Sequence, residues 1–152
     1  MINVRPATRE DIYAAAQNPM PIFQDGSDHT SGCLHCLVNG QLYALIDNDG
    51  NLCGVMGGYL IWGGVASVGA LFTPHLTKYR VASIRTVTEV IELVGLHLNL
   101  HRMELAVQSD YKTGHRWAKA LGFEPEGTLK MYGPNKQDHV MYGRTQWQYQ
   151  QS

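Results

Sequence analysis

The chain has 152 residues, of which 44% are hydrophobic, so it is long and apolar enough for one domain with a hydrophobic core. Its 12 basic and 13 acidic residues are well mixed and give a net charge of −1, which argues against a nucleic-acid-binding face. Charged residues make up only 16%, which reflects either many small residues or a surface covered by a partner or another copy of the chain.

The apolar stretch Leu52–Leu71 contains six glycines, so it predicts strands and not a membrane helix. The start of the chain, Met1–Pro6, lacks the basic and apolar regions of a signal peptide. The three cysteines fit a reducing compartment better than a disulfide framework. We therefore expect a cytoplasmic protein without a membrane partner.

The first half of the chain predicts a strand, a helix and then three further strands. Ile2–Arg5 alternates as a strand does, and Thr8 is expected to cap a helix that continues to Gln17. Pro19–Gly40 is interrupted by prolines and glycines, so it is irregular in pattern and leaves a second helix optional. The three strands are expected at Gln41–Asp47, Leu52–Trp62 and Ala66–Thr73, the first two joined by a hairpin turn.

The second half predicts a long helix followed by strand, helix, strand and strand. Apolar residues recur at helical spacing from Lys78 to Asn99, and Arg102–Val107 alternates as a strand. Asp110 is expected to cap a helix that ends near Leu121. Extended segments follow from Phe123 and over Asp138–Thr145. This order predicts one α+β domain, residues 1–152, with a mixed sheet.

Short motifs lie at both ends of the chain. They are Leu121-Gly122-Phe123, Glu126-Gly127-Thr128 and Asp138-His139-Val140-Met141-Tyr142 near the C-terminus, and Ile2-Asn3-Val4-Arg5-Pro6-Ala7 followed by Asp11 near the N-terminus. Together they resemble the GNAT superfamily of acyl-CoA-dependent N-acyltransferases. The resemblance implies a mixed, mostly antiparallel central sheet that is flanked by helices and has splayed fourth and fifth strands. In that family acyl-CoA lies in the wedge between these strands, with its pyrophosphate at the start of the next helix.

The family usually holds the pyrophosphate with a glycine-containing loop, which corresponds here to residues 75–85. This segment contains no glycine, so the resemblance implies that side chains hold acetyl-CoA and that binding is weak. The candidate cofactor-binding residues are Lys78, Arg80, Ser83 and Arg85. The alternative is that the three basic residues are only solvated at a helix start.

A tyrosine three residues before Leu-Gly-Phe often protonates the leaving thiolate in the family, and Ala118 occupies that position here. Tyr111, or His115 one turn later, is the available substitute. His75, where the fourth strand meets the loop, is a candidate general base because imidazole titrates near neutral pH. The predicted catalytic residues are therefore His75 and Tyr111, although a lone histidine is more often structural.

Cys33-Leu34-His35-Cys36 forms a single C-x-x-C pair with His29 nearby. A structural zinc site needs four ligands, and a second pair is missing. We therefore predict no metal site.

Two functions remain open from the sequence. One is an acetyltransferase that moves an acetyl group from acetyl-CoA to an amine by direct attack of the amine on the thioester. The other is a GNAT-fold protein that has lost catalysis and has a binding or structural role. Small GNAT-like proteins of bacteriophages look similar, so this second function includes a virion or host-interaction component within a phage particle. The acceptor amine is not predicted, and a homo-oligomer or an assembly partner is expected.

Overall fold

The computed structural model describes residues 1–150, which form a seven-stranded sheet with four α-helices. The strands are β1 (Ile2–Pro6), β2 (Gly40–Asp47), β3 (Leu52–Trp62), β4 (Val65–Phe72), β5 (Arg102–Gln108), β6 (Glu124–Leu129) and β7 (His139–Arg144). The α-helices are α1 (Arg9–Gln17), α2 (His29–Asn39), α3 (Arg80–Leu98) and α4 (Lys112–Ala120). Short 3-10 helices span Pro21–Phe23, Pro74–Lys78 and Gln148–Gln150.

The strand order is β1-β2-β3-β4-β5-β7-β6, and β4–β5 is the one parallel pair of neighbours. The long helix α3 makes the crossover from β4 to β5, as a parallel connection requires. The predicted α+β class with a mixed, mostly antiparallel sheet is therefore confirmed.

The sheet separates two apolar clusters. On one face α1 and α2 pack on β2, β3 and β4 around Ile12, Cys33 and Val55. On the other face α3 contributes Val87, Val90 and other buried residues to the larger cluster, which continues into α4. The two faces matter for the site, because segments from both meet at the gap between β4 and β5.

Most of the predicted elements are confirmed within a residue or two, because their periodicity is strong. At α1, Thr8 accepts a hydrogen bond from the Asp11 N–H and Asp11 bonds back to the Thr8 N–H, which is a capping box. Gly122 has φ +89° and follows α4, as expected of a residue that ends a helix.

Residues 29–39 form the helix α2, which the irregular pattern of this region left optional. Asp28 caps this helix through the Ser31 N–H, and the buried cysteines of one helical face pack on the sheet. One local prediction is wrong. Asp110 does not cap α4. Tyr111 occupies the N-cap position, and its side chain makes no capping hydrogen bond.

Candidate active site in the gap between two parallel strands

Strands β4 and β5 separate soon after they begin. They pair only from Val65 opposite Arg102 to Ser67 opposite Glu104, whereas β4 continues to Phe72 and β5 to Gln108. A cleft of about 810 Å³ opens in the gap and is lined by β4, β5, α3, α4 and the segment between α1 and α2. The prediction of splayed fourth and fifth strands is confirmed.

The edge of β4 that faces this cleft carries free backbone groups. The carbonyl of Gly64 bonds to the N–H groups of His101 and Arg102, and the carbonyl of Phe72 accepts from the Met20 N–H. Since backbone groups alternate along a strand, the N–H and C=O groups of Val68 and Ala70 point to the same side of β4 as the carbonyls of Gly64 and Phe72. Both residues line the cleft beyond the last β5 pairing. The last pair, Ser67 opposite Glu104, uses the Val68 N–H in the ladder, so the Val68 carbonyl and both backbone groups of Ala70 remain available to an extended ligand.

The N-terminus of α3 lies at the mouth of this cleft without a cap. Its N-cap residue, Tyr79, makes no side-chain capping bond, and the first turn contains no acidic residue. Thr77 and Arg80 line the cleft, and Lys78 is exposed beside them. Free N–H groups and the helix dipole favour an anion here. The chain enters α3 through the 3-10 helix Pro74–Lys78, in which no residue has a positive φ, so this turn forms without glycine.

The predicted cofactor-binding residues do not lie together. Arg80 lines the cleft and Lys78 is exposed next to it. Ser83, in contrast, is fully buried, and its hydroxyl donates to the Leu76 carbonyl while its N–H donates to Tyr79. Arg85 lies on a different face of α3, in a shallow depression that it shares with Glu89 and other residues. The helix phase therefore places Ser83 and Arg85 away from the lining of this cleft, whereas Arg80 lies on it.

A second guanidinium, which the sequence did not single out, lies on the opposite wall. Arg116 of α4 is exposed, lines the cleft and donates a 3.3 Å hydrogen bond to the Thr113 hydroxyl, another lining residue. Arg80 and Arg116 thus belong to the two helices that flank the same cleft. No local pattern distinguishes Arg116 from other basic residues, because its relevance depends on which face of α4 meets β5.

Tyr111 lines the cleft at the start of α4. Its ring lies over Gly114, where an added Cβ would stand 2.5 Å from Tyr111 Cδ2 and 2.7 Å from Val107 Cγ1. Glycine at position 114 therefore allows the ring to lie against the helix. Ala118 is 2% exposed and contributes to both the core and the cleft wall.

The two histidines named from the sequence are placed differently. His75 is half-buried in the 3-10 helix, is not among the cleft-lining residues, and has a buried Nδ1 without a hydrogen-bond partner among residues 1–150. His115 is fixed at both ring nitrogens. Its Nε2 lies 3.0 Å from the Ser109 carbonyl and its Nδ1 lies 2.7 Å from the Tyr142 hydroxyl. A carbonyl only accepts, so Nε2 carries the proton and Tyr142 donates to Nδ1. His115 therefore joins α4 to β7, and His75 lies outside the lining of the cleft.

An aspartate and a histidine that the sequence analysis did not assign to catalysis also line the cleft. His29 Nε2 lies 2.9 Å from Asp25 Oδ1, and the side chains of the pair are 25% and 16% exposed. Burial alone raises the pKa of Asp25, but hydrogen bonds from the Ser27 N–H and from His29 outweigh it and leave the pKa below its usual value. The spacing of four residues was visible in the sequence, but without α2 nothing placed His29 in a site.

Cys33 and Cys36 both point into the core of the α2 face. Burial raises the pKa of each thiol to about 12, so both stay protonated at neutral pH. Within residues 1–150, no group of three His, Cys, Asp or Glu side chains is placed to hold a metal ion. No helix among these residues is both long and apolar enough to cross a membrane.

Several solved N-acetyltransferase structures are similar to this chain. A chimera of spermidine N-acetyltransferase SpeG from Vibrio cholerae and hSSAT superimposes with a TM-score of 0.77 at 16% identity, over 99% of both chains. Mutant forms of the spermidine/spermine N-acetyltransferase SpeG from Vibrio cholerae give 0.69 at 18% identity, over 94% of this chain and 93% of the other. A structure described as a candidate phosphinothricin N-acetyltransferase gives 0.73 at 14% identity, over 95% and 98%.

By sequence, no protein-family profile and no curated protein matches the chain. Because the identities to these structures are low, the similarity establishes only the fold. The activity has to be inferred from the geometry of the site. The chain has the GNAT fold of these N-acetyltransferases.

Proposed function

We propose that this chain is an acyl-CoA-dependent N-acyltransferase that transfers an acetyl group from acetyl-CoA to an amine. The observation that carries the proposal is the cleft between β4 and β5, where the free backbone edge at Val68 and Ala70 leads to the uncapped start of α3. A pantetheine arm is extended and bears amide groups, so it suits the open edge of a strand, with which it can form strand-like hydrogen bonds.

The phosphate end of the substrate fits the mouth of the cleft. The first turn of α3 offers backbone N–H groups and the positive end of the helix dipole. Arg80 and Arg116 add two guanidinium groups that form charge-assisted bonds to phosphate oxygens. Acetyl-CoA binding in this protein thus combines backbone and side-chain contacts, in place of the purely side-chain contacts expected from the missing glycines.

The chemistry is direct attack of the amine on the thioester carbonyl carbon. The backbone N–H of Ala70 is suited to polarise the carbonyl oxygen, as an oxyanion-hole donor does. Tyr111 is the phenol in the cleft at the start of α4, and we assign it the role of protonating the departing thiolate. Ala118, the family's tyrosine position, forms part of the cleft wall and has no proton to donate.

The named activities of the similar structures concern different amines, so they support the reaction type and not a particular acceptor. The alternative of a catalytically lost binding or structural protein, and the resemblance to phage proteins, gain no support from them. We also propose that the chain forms a homo-oligomer or binds an assembly partner.

The test is calorimetric titration of acetyl-CoA into the wild type and two charge-reversal variants, Arg80→Glu and Arg85→Glu. Both residues are exposed on α3, but only Arg80 lines the cleft. Arg80→Glu should weaken acetyl-CoA binding about 10-fold or more, because it replaces a phosphate-binding charge. Arg85→Glu should bind acetyl-CoA like the wild type. Equal losses in the two variants would refute this phosphate site. Absence of any acetyl-CoA-induced rise in stability would refute the proposed function, because a ligand of the native state must stabilise it.

A further inference from the structure

Asp25 and His29 form a fixed pair at the start of α2. Asp25 Oδ1 lies 2.9 Å from His29 Nε2 and also accepts the Ser27 N–H at 3.0 Å. The main-chain carbonyl of Asp25 accepts a 3.3 Å bond from Asn135 Nδ2, in the loop between β6 and β7. The aspartate is thus held by its side chain and its backbone, so the imidazole it contacts has a defined orientation.

The pairing also defines which ring nitrogen is free. An ionised carboxylate only accepts hydrogen bonds, so the proton of neutral His29 lies on Nε2 and the lone pair lies on Nδ1. Nδ1 makes no hydrogen bond with any residue from 1 to 150. The ring therefore keeps one unoccupied basic nitrogen, with a carboxylate behind it to stabilise the cation that forms on protonation.

The pair lies at the end of the cleft that is built from the α1–α2 side of the sheet. The Phe23 ring stands edge-on to His29 with centroids 5.0 Å apart, and its centroid is 5.7 Å from that of Phe72, the last residue of β4. Phe23 belongs to the α1–α2 cluster, whereas the α3 helix that carries Arg80 packs on the opposite face. Phe72 itself packs with the α3-side cluster, so the pair lies where the two clusters meet, in the cleft that Arg80 also lines.

We propose that Asp25 and His29 form the general base of this cleft, and that the acceptor they deprotonate is a single primary amine on an apolar or aromatic skeleton. This inference rests on the proposed acyl transfer. His29 is the catalytic residue, since its Nδ1 contacts the reacting ammonium. Asp25 is a positioning residue that acts through His29.

The reaction balances without a further reagent. The ammonium group gives one proton to His29 Nδ1, and the free amine attacks the acetyl carbonyl carbon of acetyl-CoA. A C–N bond forms and the C–S bond breaks as the tetrahedral species collapses. The thiolate takes a proton from Tyr111, and the second proton lost by the nitrogen returns the Tyr111 phenolate to its neutral form through solvent. The products are an N-acetyl amide and CoA, and the imidazolium returns its proton to water.

The walls next to the pair define the acceptor class. Beside the polar Asp25, Ser27 and His29, this cleft is lined by apolar or aromatic residues that include Met20, Ile22, Phe23, Met56, Tyr59 and Phe72. Asp25 is the one carboxylate among the cleft-lining residues in the described part of the chain, and it is already engaged by His29. A polyamine would place further cations against apolar surface without a counter-charge, which is costly. A monoamine such as 2-phenylethylamine matches these walls better than spermidine does.

The experiment measures CoA release with 2-phenylethylamine and with spermidine in the wild type, in His29→Gln and in the matched control His35→Gln. His35 is an exposed residue of the same helix and is not among the lining residues. We expect the wild type to prefer 2-phenylethylamine, and His29→Gln to lose about 100-fold or more in kcat. The control should turn over normally, and both variants should bind acetyl-CoA as the wild type does.

Two further readouts separate catalysis from structure. Added imidazole should restore part of the turnover of His29→Ala, because it supplies the missing base. Asp25→Asn should lower kcat and leave the KM for acetyl-CoA near the wild-type value, because the imidazole loses the carboxylate that orients it while the cofactor contacts remain. The charged groups facing His29 nearby are Asp25 and Asp28; other titratable groups lining the cleft are Tyr59, Arg80, Tyr111, Arg116, Tyr132 and His139.

Turnover of His29→Gln close to the wild-type value would overturn the assignment of the base while leaving the acyl transfer intact. A preference for spermidine would overturn the acceptor class. Failure of the wild type to bind acetyl-CoA would overturn the proposed function and this inference together.

Discussion

Glu92 is expected to be a main determinant of how firmly the C-terminal end of α4 is held beside the cleft. Its carboxylate lies 2.7 Å from Arg144 Nη2, and the Arg144 side chain is only 8% exposed. Arg144 Nε donates to the carbonyl of Leu121, the residue that ends α4. The guanidinium also lies 4.5 Å from the centroid of the buried Trp147 ring. One buried cation therefore connects α3, the end of α4 and the C-terminal segment.

The change Glu92→Gln keeps the shape of this side chain and removes its charge. Breaking a buried ion pair costs about 3–5 kcal/mol. Glutamine retains an acceptor for Arg144, and Glu92 is 17% exposed, so we expect about 2–3 kcal/mol here. For a domain of this length each kcal/mol lowers Tm by about 2–4 °C, which gives a fall of about 5–10 °C.

The assay is urea denaturation together with a thermal scan, with Lys130→Gln as the control. Lys130 also forms an ion pair, at 3.3 Å from Asp138, but its side chain is 80% exposed. Exposed pairs contribute about 0–1 kcal/mol, so the control should stay close to the wild type. If Glu92→Gln cost no more than Lys130→Gln, the role assigned to the buried Arg144 would be refuted.

Three further predictions concern packing, catalysis and pH. Gly69→Ala should lower the free energy of unfolding in urea by about 1–3 kcal/mol, because the new Cβ would stand 2.4 Å from a buried sulfur atom of α2. Gly32→Ala in α2, whose new Cβ meets no atom within 4 Å, should raise the free energy of unfolding by about 0.5–1 kcal/mol. Equal effects of the two changes would contradict the close packing at Gly69. Tyr111→Phe should reduce kcat about 100-fold or more, whereas His75→Gln, outside the cleft, should leave turnover near the wild-type value; the reverse order would exclude the assigned proton donor. The hydrogen bond from a neighbouring arginine holds the pKa of Asp11 below its usual value, so this carboxylate stabilises the fold above about pH 4 and the contribution is lost as the pH falls through its lower folded-state pKa. Asp11→Asn should therefore reduce the loss of stability at acidic pH in a series of unfolding curves. An unchanged dependence of the unfolding free energy on pH would refute the linkage.

The fold was predictable because its information is local. Strands such as Gln41–Asp47 and the long helix α3 repeat their apolar residues with periods of two and 3.6 residues, and these periods survive any tertiary arrangement. The same reasoning left α2 only optional and did not locate it, because its residues are weak helix formers with serine, glycine and cysteines. That helix forms because its buried face packs on β4, where Gly69 leaves room for the Cys36 sulfur.

The site depended on information that the sequence does not carry locally. The sequence by itself determined the order of the elements, the cation-rich start of α3 and the presence of a phenol at position 111. Only the tertiary structure decided which of these side chains share a cleft, because a helical residue changes face within two positions and α3, α4 and α2 come from distant parts of the chain. In the tertiary structure Arg80 lines the cleft, whereas Arg85 lies on another face of α3. The Asp25–His29 pair lines the same cleft between the strands.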